Sequence, residues 1–135
     1  MPYEVSWYRQ DRVIYMQLKE AVSIQDLAAA TEFAMNAVRE GIAPVHLIVD
    51  IQAVKSIPSN VLEIKKSIPT LTKEQRDLTG WIVLIGMNPL INTFVSVITQ
   101  LLGTKYRNFK YQKLALQFIA QQDETLADLV ETAPN

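Results

Sequence analysis

Tyr3, Val5 and Trp7 alternate with Glu4, Ser6 and Tyr8, the two-residue period of a strand with one buried face. Gln10-Asp11 is a turn pair, and Val13 to Leu18 is again rich in strand formers, so the chain opens on a predicted hairpin. Lys19 to Val22 reads as a loop leading to Ser23. Ser23 is placed to cap a helix, because its hydroxyl can accept from a backbone N–H that has no helical partner. Asp26, three residues on, puts negative charge at the helix N-terminus. Ile24, Leu27, Ala28, Thr31, Ala34, Met35 and Val38 then recur at helical spacing, and Gly41 predicts a left-handed closing cap.

Val45 to Ile51 is apolar on both faces except at His46 and Asp50, the pattern of a central strand covered by helices. Ser59 can cap a second helix through Val61, Leu62 and Ile64, which Pro69 interrupts. Thr72 with Gln75 has the spacing of a capping box. Trp81 to Ile85 predicts another central strand. Asn88-Pro89 opens a third long helix with proline at the tolerated first position, and Gly103 ends it. "KYRNFKYQ" reads either as a loop or as the start of a strand. Leu114 to Ile119 predicts the last strand, and Asp123 caps a final helix carrying Leu126, Leu129 and Val130. The order is ββαβαβαβα: an α/β fold with a mixed, mostly parallel sheet, an N-terminal β-hairpin at its edge, and helices packed on it.

The 135 residues suit one domain over residues 1–135, and at 49% hydrophobic the chain can fill a core. A formal net charge of −1 argues against nucleic-acid binding. The absence of cysteine excludes disulfides, thiolate metal sites and cysteine nucleophiles together. "MPYEVSWYRQ" has no apolar signal region, so a cytoplasmic location is expected. Residues 78–104 carry no charge, but Gly80, Gly86, Asn88 and Pro89 divide them into pieces shorter than the roughly 20 residues of a membrane-spanning helix.

Candidate chemistry is sparse. Ser59 fits a phosphoacceptor or anion contact at a helix N-terminus, and capping alone also accounts for it. Ser56 is a second hydroxyl on the same stretch. Asp50, expected at the carboxyl end of a central strand, fits either a ligand contact or a carboxylate that holds the next loop. His46 is the only histidine, which rules out the common zinc sets and leaves a structural role. No glycine-rich phosphate loop is present. "KYRNFKYQK" interleaves Lys105, Arg107, Lys110 and Lys113 with Tyr106, Phe109 and Tyr111, a pattern that holds anions or simply forms a solvated loop. The helix after Pro89 lacks the charged outer face of a surface helix, so Phe94, Val97, Ile98 and Leu101 are candidates for an oligomer or ligand face.

This order resembles the STAS domain, and within it the SpoIIAA-like branch named for bacterial anti-sigma-factor antagonists. The likeness is carried by the opening hairpin, by "LIVDIQAV" with Asp50, by "GWIVLIGMNPLINTF" and by "LALQFIAQQDETLADL", and it spans nearly the whole chain. In antagonists of that family a serine in an Asp-Ser-Ser/Thr-Gly segment at the start of the second helix is phosphorylated by a partner kinase. Pro58-Ser59-Asn60-Val61 corresponds to it, with Pro58 in place of the acid and Val61 in place of the glycine. Related proteins are interaction modules, and some are similar to lipid-transfer domains of the CRAL-TRIO type.

The expectation is therefore a non-enzymatic cytoplasmic interaction or regulatory module that self-associates, with no metal and no cofactor. Its protein partner is not legible. Its surface would join Asp50, Lys55 and Asn60 to Asn88 at one edge of the sheet, because parallel strands end together. The alternative is a binder of a small apolar or lipid-like ligand, with the uncharged helix lining the cavity.

Overall fold

A computed structural model of the chain describes residues 2–58, 60–68, 70–87 and 105–132. The hairpin forms from β1 (Tyr3–Arg9) and β2 (Val13–Ala21), antiparallel, with Asp11 at φ 66° in the turn between them. Asp tolerates that left-handed conformation better than most residues. Helix α1 (Ile24–Glu40) follows. Its N-terminus is closed by the expected Ser23 cap, which Asp26 completes as a capping box: Ser23 Oγ accepts from the Asp26 N–H at 3.0 Å and Asp26 Oδ2 accepts from the Ser23 N–H at 2.9 Å.

Strand β3 (Val45–Ser56) is the long central strand, followed by α2 (Val61–Ser67), α3 (Lys73–Leu78) and β4 (Thr79–Ile85). Strand β5 (Tyr106–Phe109), helix α4 (Gln112–Gln122) and a 3-10 helix, Glu124–Thr132, complete the described chain. The sheet runs β1-β2-β3-β4-β5, with every pair after the hairpin parallel. Strands added in one direction through right-handed crossovers put their helices on one face. Accordingly α1, α2 and α3 share a core with Ile14, Met16, Leu47, Val49, Ile82 and Leu84. Helix α4 and the 3-10 helix cover the opposite face, over Val13, Ile48, Val83 and Ile85. His46 and Asp50 share the side of Ile48, because alternate residues of a strand face alike.

Several sequence expectations change. Leu114–Ile119 is part of α4, not a strand. Ala115, Leu116 and Ile119 are buried at helical spacing, and a short apolar run does not distinguish the two periods. The last strand lies upstream, where Tyr106–Phe109 pairs with Ile82–Ile85. Lys19–Ala21 and Gln52–Ser56 are strand, not loop: β2 and β3 pair as far as Ala21 and Ser56, with one extra β3 residue between Asp50 and Ala53 and another between Val54 and Ser56. The first of these bulges turns Val54 onto the face of Ile51. The cap of α2 is Asn60, whose Oδ1 accepts from the Glu63 N–H at 3.1 Å; Ser59 lies outside the described residues.

Gly41 closes α1 in an extended conformation, φ −90° and ψ −171°, not a left-handed one. Glycine is needed there for space: a Cβ would stand 2.7 Å from the Asp11 carbonyl oxygen and 2.8 Å from Val45 Cγ2. Among the described residues no helix is long and apolar enough to cross a membrane.

Candidate functional site

At the carboxyl half of the sheet, Asp50 pairs with Gln17 of β2 and with Ile85, the last residue of β4. Only 5% of it is exposed. Its Oδ1 accepts from the Gln52 N–H at 3.0 Å, and the Gln52 side-chain amide donates to Oδ1 and Oδ2 at 3.2 and 3.3 Å. Tyr15 Oη donates to Oδ2. The carboxylate thus holds the bulge that begins where β4 ends, a local side chain-to-backbone bond of the kind Asp makes two residues on. Burial raises the Tyr15 hydroxyl pKa above its ordinary value, and the hydrogen bond and charge of Asp50 and the nearby Tyr8 add to this. Tyr8 stacks against Tyr15 with ring centroids 6.1 Å apart.

Lys55 and Ser56 are exposed residues of β3. The Lys55 ammonium pairs with Glu20 of β2 at 3.1 Å on the surface, and the Ser56 carbonyl accepts from the Val22 N–H at 2.9 Å. Leu62 of α2 and Met87, just after β4, are exposed by 69% and 65%. They follow the carboxyl ends of neighbouring parallel strands. Of the other residues singled out in the sequence, Ser59, Asn88, Phe94, Val97, Ile98 and Leu101 lie outside the described residues.

The opposite, amino edge holds a polar cluster that sequence reading missed. His46, 2% exposed, is fixed from both sides. The Trp81 backbone N–H donates to Nδ1 at 3.0 Å, so Nδ1 carries the lone pair and Nε2 the hydrogen. Nε2 donates to Asp123 Oδ2 at 2.9 Å. Arg12 pairs with the same oxygen at 2.7 Å and donates to Thr125 Oγ1 at 2.8 Å. The Thr125 hydroxyl and backbone N–H donate to Asp123 Oδ1 at 2.6 and 3.1 Å.

Burial lowers the His46 pKa, and Asp123 only partly opposes it. For Asp123 burial acts upward but is outweighed. Bonds from Thr125 and His46 and the Arg12 charge hold the carboxyl at about 2. With Nδ1 committed to a backbone N–H, the imidazole has no free lone pair for taking a proton from a ligand. The cluster ties β3, β4, the hairpin turn and the start of the 3-10 helix together. The one local sign of it in the sequence is Gly80, which leaves room for the ring: a Cβ there would stand 2.5 Å from Nδ1.

A cleft of about 660 Å³ opens beside the cluster, lined by Arg76, Gly80, Trp81, Lys105, Glu124 and neighbouring residues. Lys105 Nζ and Arg107 Cζ lie 5.4 and 5.1 Å from the centroid of the Trp81 ring, within cation–π range. Among the described residues no three or more histidine, aspartate and glutamate side chains gather as metal ligands.

No protein-family model matches the chain, and no curated protein sequence matches it. Solved structures do. An uncharacterised protein of the DUF3478 family with a SpoIIAA-like fold, from Shewanella loihica PV-4, aligns over 86% of this chain and 90% of its own, at 12% identity and a TM-score of 0.57. The anti-sigma factor antagonist SpoIIAA in its unphosphorylated form aligns over 88% of this chain and 96% of its own, at 10% identity and a TM-score of 0.56. At these identities the likeness is one of fold: the chain has a SpoIIAA-like, STAS-type α/β fold.

Proposed function

We propose that this STAS-type fold serves as a non-enzymatic cytoplasmic interaction or regulatory module, working through the carboxyl edge of its sheet and self-associating through the uncharged segment around Phe94, Val97, Ile98 and Leu101. The observation that carries the reading is the near full-length fold likeness to a protein that acts as an antagonist of another protein. Two further features support it. Exposed Leu62 and Met87 offer apolar contacts after β3 and β4. The buried carboxylate at this edge, Asp50, is engaged by Tyr15 and Gln52, so it serves the scaffold. Lys55, Ser56 and Asn60 flank this surface, and Ser59 and Asn88 complete it in sequence. A phosphate on Ser59 or Ser56 would add charge at the edge and so regulate the contact.

Native mass spectrometry of the full chain tests the reading. A bare dimer or larger assembly that Phe94→Glu or Val97→Glu reduces to monomer is the expected result. A wild-type monomer, or an assembly of unchanged size in both variants, removes self-association through that segment. A monomer carrying extra mass released on activation would replace it with binding of an apolar or lipid-like ligand.

A further inference from the structure

We propose that the cleft at the amino edge of the sheet binds the phosphate group of a small organic ester, with Arg76 and Lys105 as the anion-binding side chains and Trp81 as the wall beside the ester's body. This site is separate from the carboxyl-edge surface and does not depend on that surface's function.

Charge placement is the first support. Arg76 comes from α3 and Lys105 from the entry to β5, so two elements distant in sequence bring cations to one cleft. Neither has an ion-pair partner among the described residues. Arg107 places a third positive charge over the Trp81 indole, and among the described residues its Nη1 donates to the Tyr106 carbonyl oxygen at 2.9 Å. Like charges repel, so bringing Arg76 and Lys105 to one concave site, with Arg107 over the Trp81 ring that lines it, is favourable when an anion sits between them.

The acids of the cleft do not cancel this field. Asp123 spends both oxygens on Arg12, His46 and Thr125, and its charge is balanced by the Arg12 guanidinium. Among the described residues that line the cleft, Glu124 is the remaining opposing charge.

Size and shape are the second support. About 660 Å³ is the volume of a pocket for one small organic molecule. Two cations from separate elements suit a group with two negative charges and three acceptor oxygens better than a singly charged carboxylate. Trp81, half-buried and braced by Phe118 edge-on at 4.8 Å, gives the ester's apolar part a rigid surface.

Isothermal titration calorimetry of the full chain with phenyl phosphate, benzoate and phenol tests the proposal, alongside sedimentation with phosphatidylcholine vesicles containing phosphatidic acid. Phenyl phosphate should bind saturably with a Kd of roughly 1 mM or tighter, and benzoate and phenol about tenfold more weakly. Arg76→Gln and Lys105→Gln, both at exposed positions, should each weaken phenyl phosphate binding about tenfold, the loss expected for one charge-assisted contact. Glu124→Gln should tighten it. Vesicle binding without phenyl phosphate binding, lost in the Arg76→Gln/Lys105→Gln double variant, would assign the phosphate to a lipid headgroup. The proposal is overturned if neither probe binds, if benzoate equals phenyl phosphate, or if the double variant binds as wild type does.

Discussion

Gly80→Ala puts one methyl group against the buried imidazole of His46. The added Cβ would stand 2.5 Å from Nδ1, 2.6 Å from Cε1 and 3.2 Å from Pro44 Cβ. Carbon contacts are optimal at about 3.5–4.0 Å, so the ring must retreat by about 1 Å. It has no free direction, because Nδ1 is held by the Trp81 N–H at 3.0 Å and Nε2 by Asp123 at 2.9 Å. A retreat of that size stretches or breaks both bonds. One is a neutral bond worth about 1 kcal/mol and the other, to a carboxylate, about 1.5–3 kcal/mol, so the variant should lose about 2–4 kcal/mol. The Gly80 backbone is not left-handed, so alanine itself adds no conformational strain. Urea unfolding followed by far-UV circular dichroism measures the loss, and thermal melts should show Tm about 10 °C lower. Combining Gly80→Ala with His46→Ala supplies the control. With the ring gone the methyl group has room, so the double variant should be more stable than the two single losses predict by about 1–2 kcal/mol. A Gly80→Ala protein within about 0.5 kcal/mol of wild type, or strict additivity in the cycle, would refute the reasoning.

The same cluster sets a pH dependence. Asp123 titrates near 2 when folded against an ordinary 3.8, so its contribution is full above 3.8 and is lost as pH falls toward about 2; Asp123→Asn should flatten that part of a stability–pH curve. His46 is depressed below 6.5 in the fold, so stability is full above 6.5 and falls as pH drops through the lowered value; His46→Gln should remove this slope, as read by unfolding free energies between about pH 5 and 8. Tyr15→Phe takes a donor from buried Asp50 and should cost about 1–3 kcal/mol in urea unfolding, an effect that Asp50→Asn in the same background would reduce. Lys55→Ala breaks an ion pair open to water and should change stability by less than about 1 kcal/mol, with no effect resolvable at high salt.

What the chain determined by itself is what short range controls. The β1–β2 hairpin and α1 follow from periodicity, because burying one face needs only the right spacing along one element, and the start of β3 and β4 follow from apolar runs that suit a strand covered on both faces. The Ser23 cap and the Thr72 capping box close within three residues, so their residue types alone announce them. A carboxylate at Asp50 that binds the backbone just after it was one of the two roles its position offered, since the Gln52 N–H it accepts is two residues away; that this backbone is a strand bulge and not a loop was not legible.

The rest required partners distant in the chain. Leu114–Ile119 has an apolar run that fits strand or helix, and the choice fell to helix once Tyr106–Phe109 had taken the free edge of β4 and the open sheet face needed a cover. Strand β3 runs on to Ser56 because β2 runs on beside it, which no local pattern encodes. The Arg12–Asp123–His46 cluster joins residues 111 and 77 positions apart, and an isolated histidine or aspartate in a sequence does not name its partner. The amino-edge cleft follows from that assembly. Arg76, Trp81 and Lys105 are unremarkable one at a time, and only the parallel register of β3, β4 and β5 brings the starts of three strands, and the charges beside them, to one place.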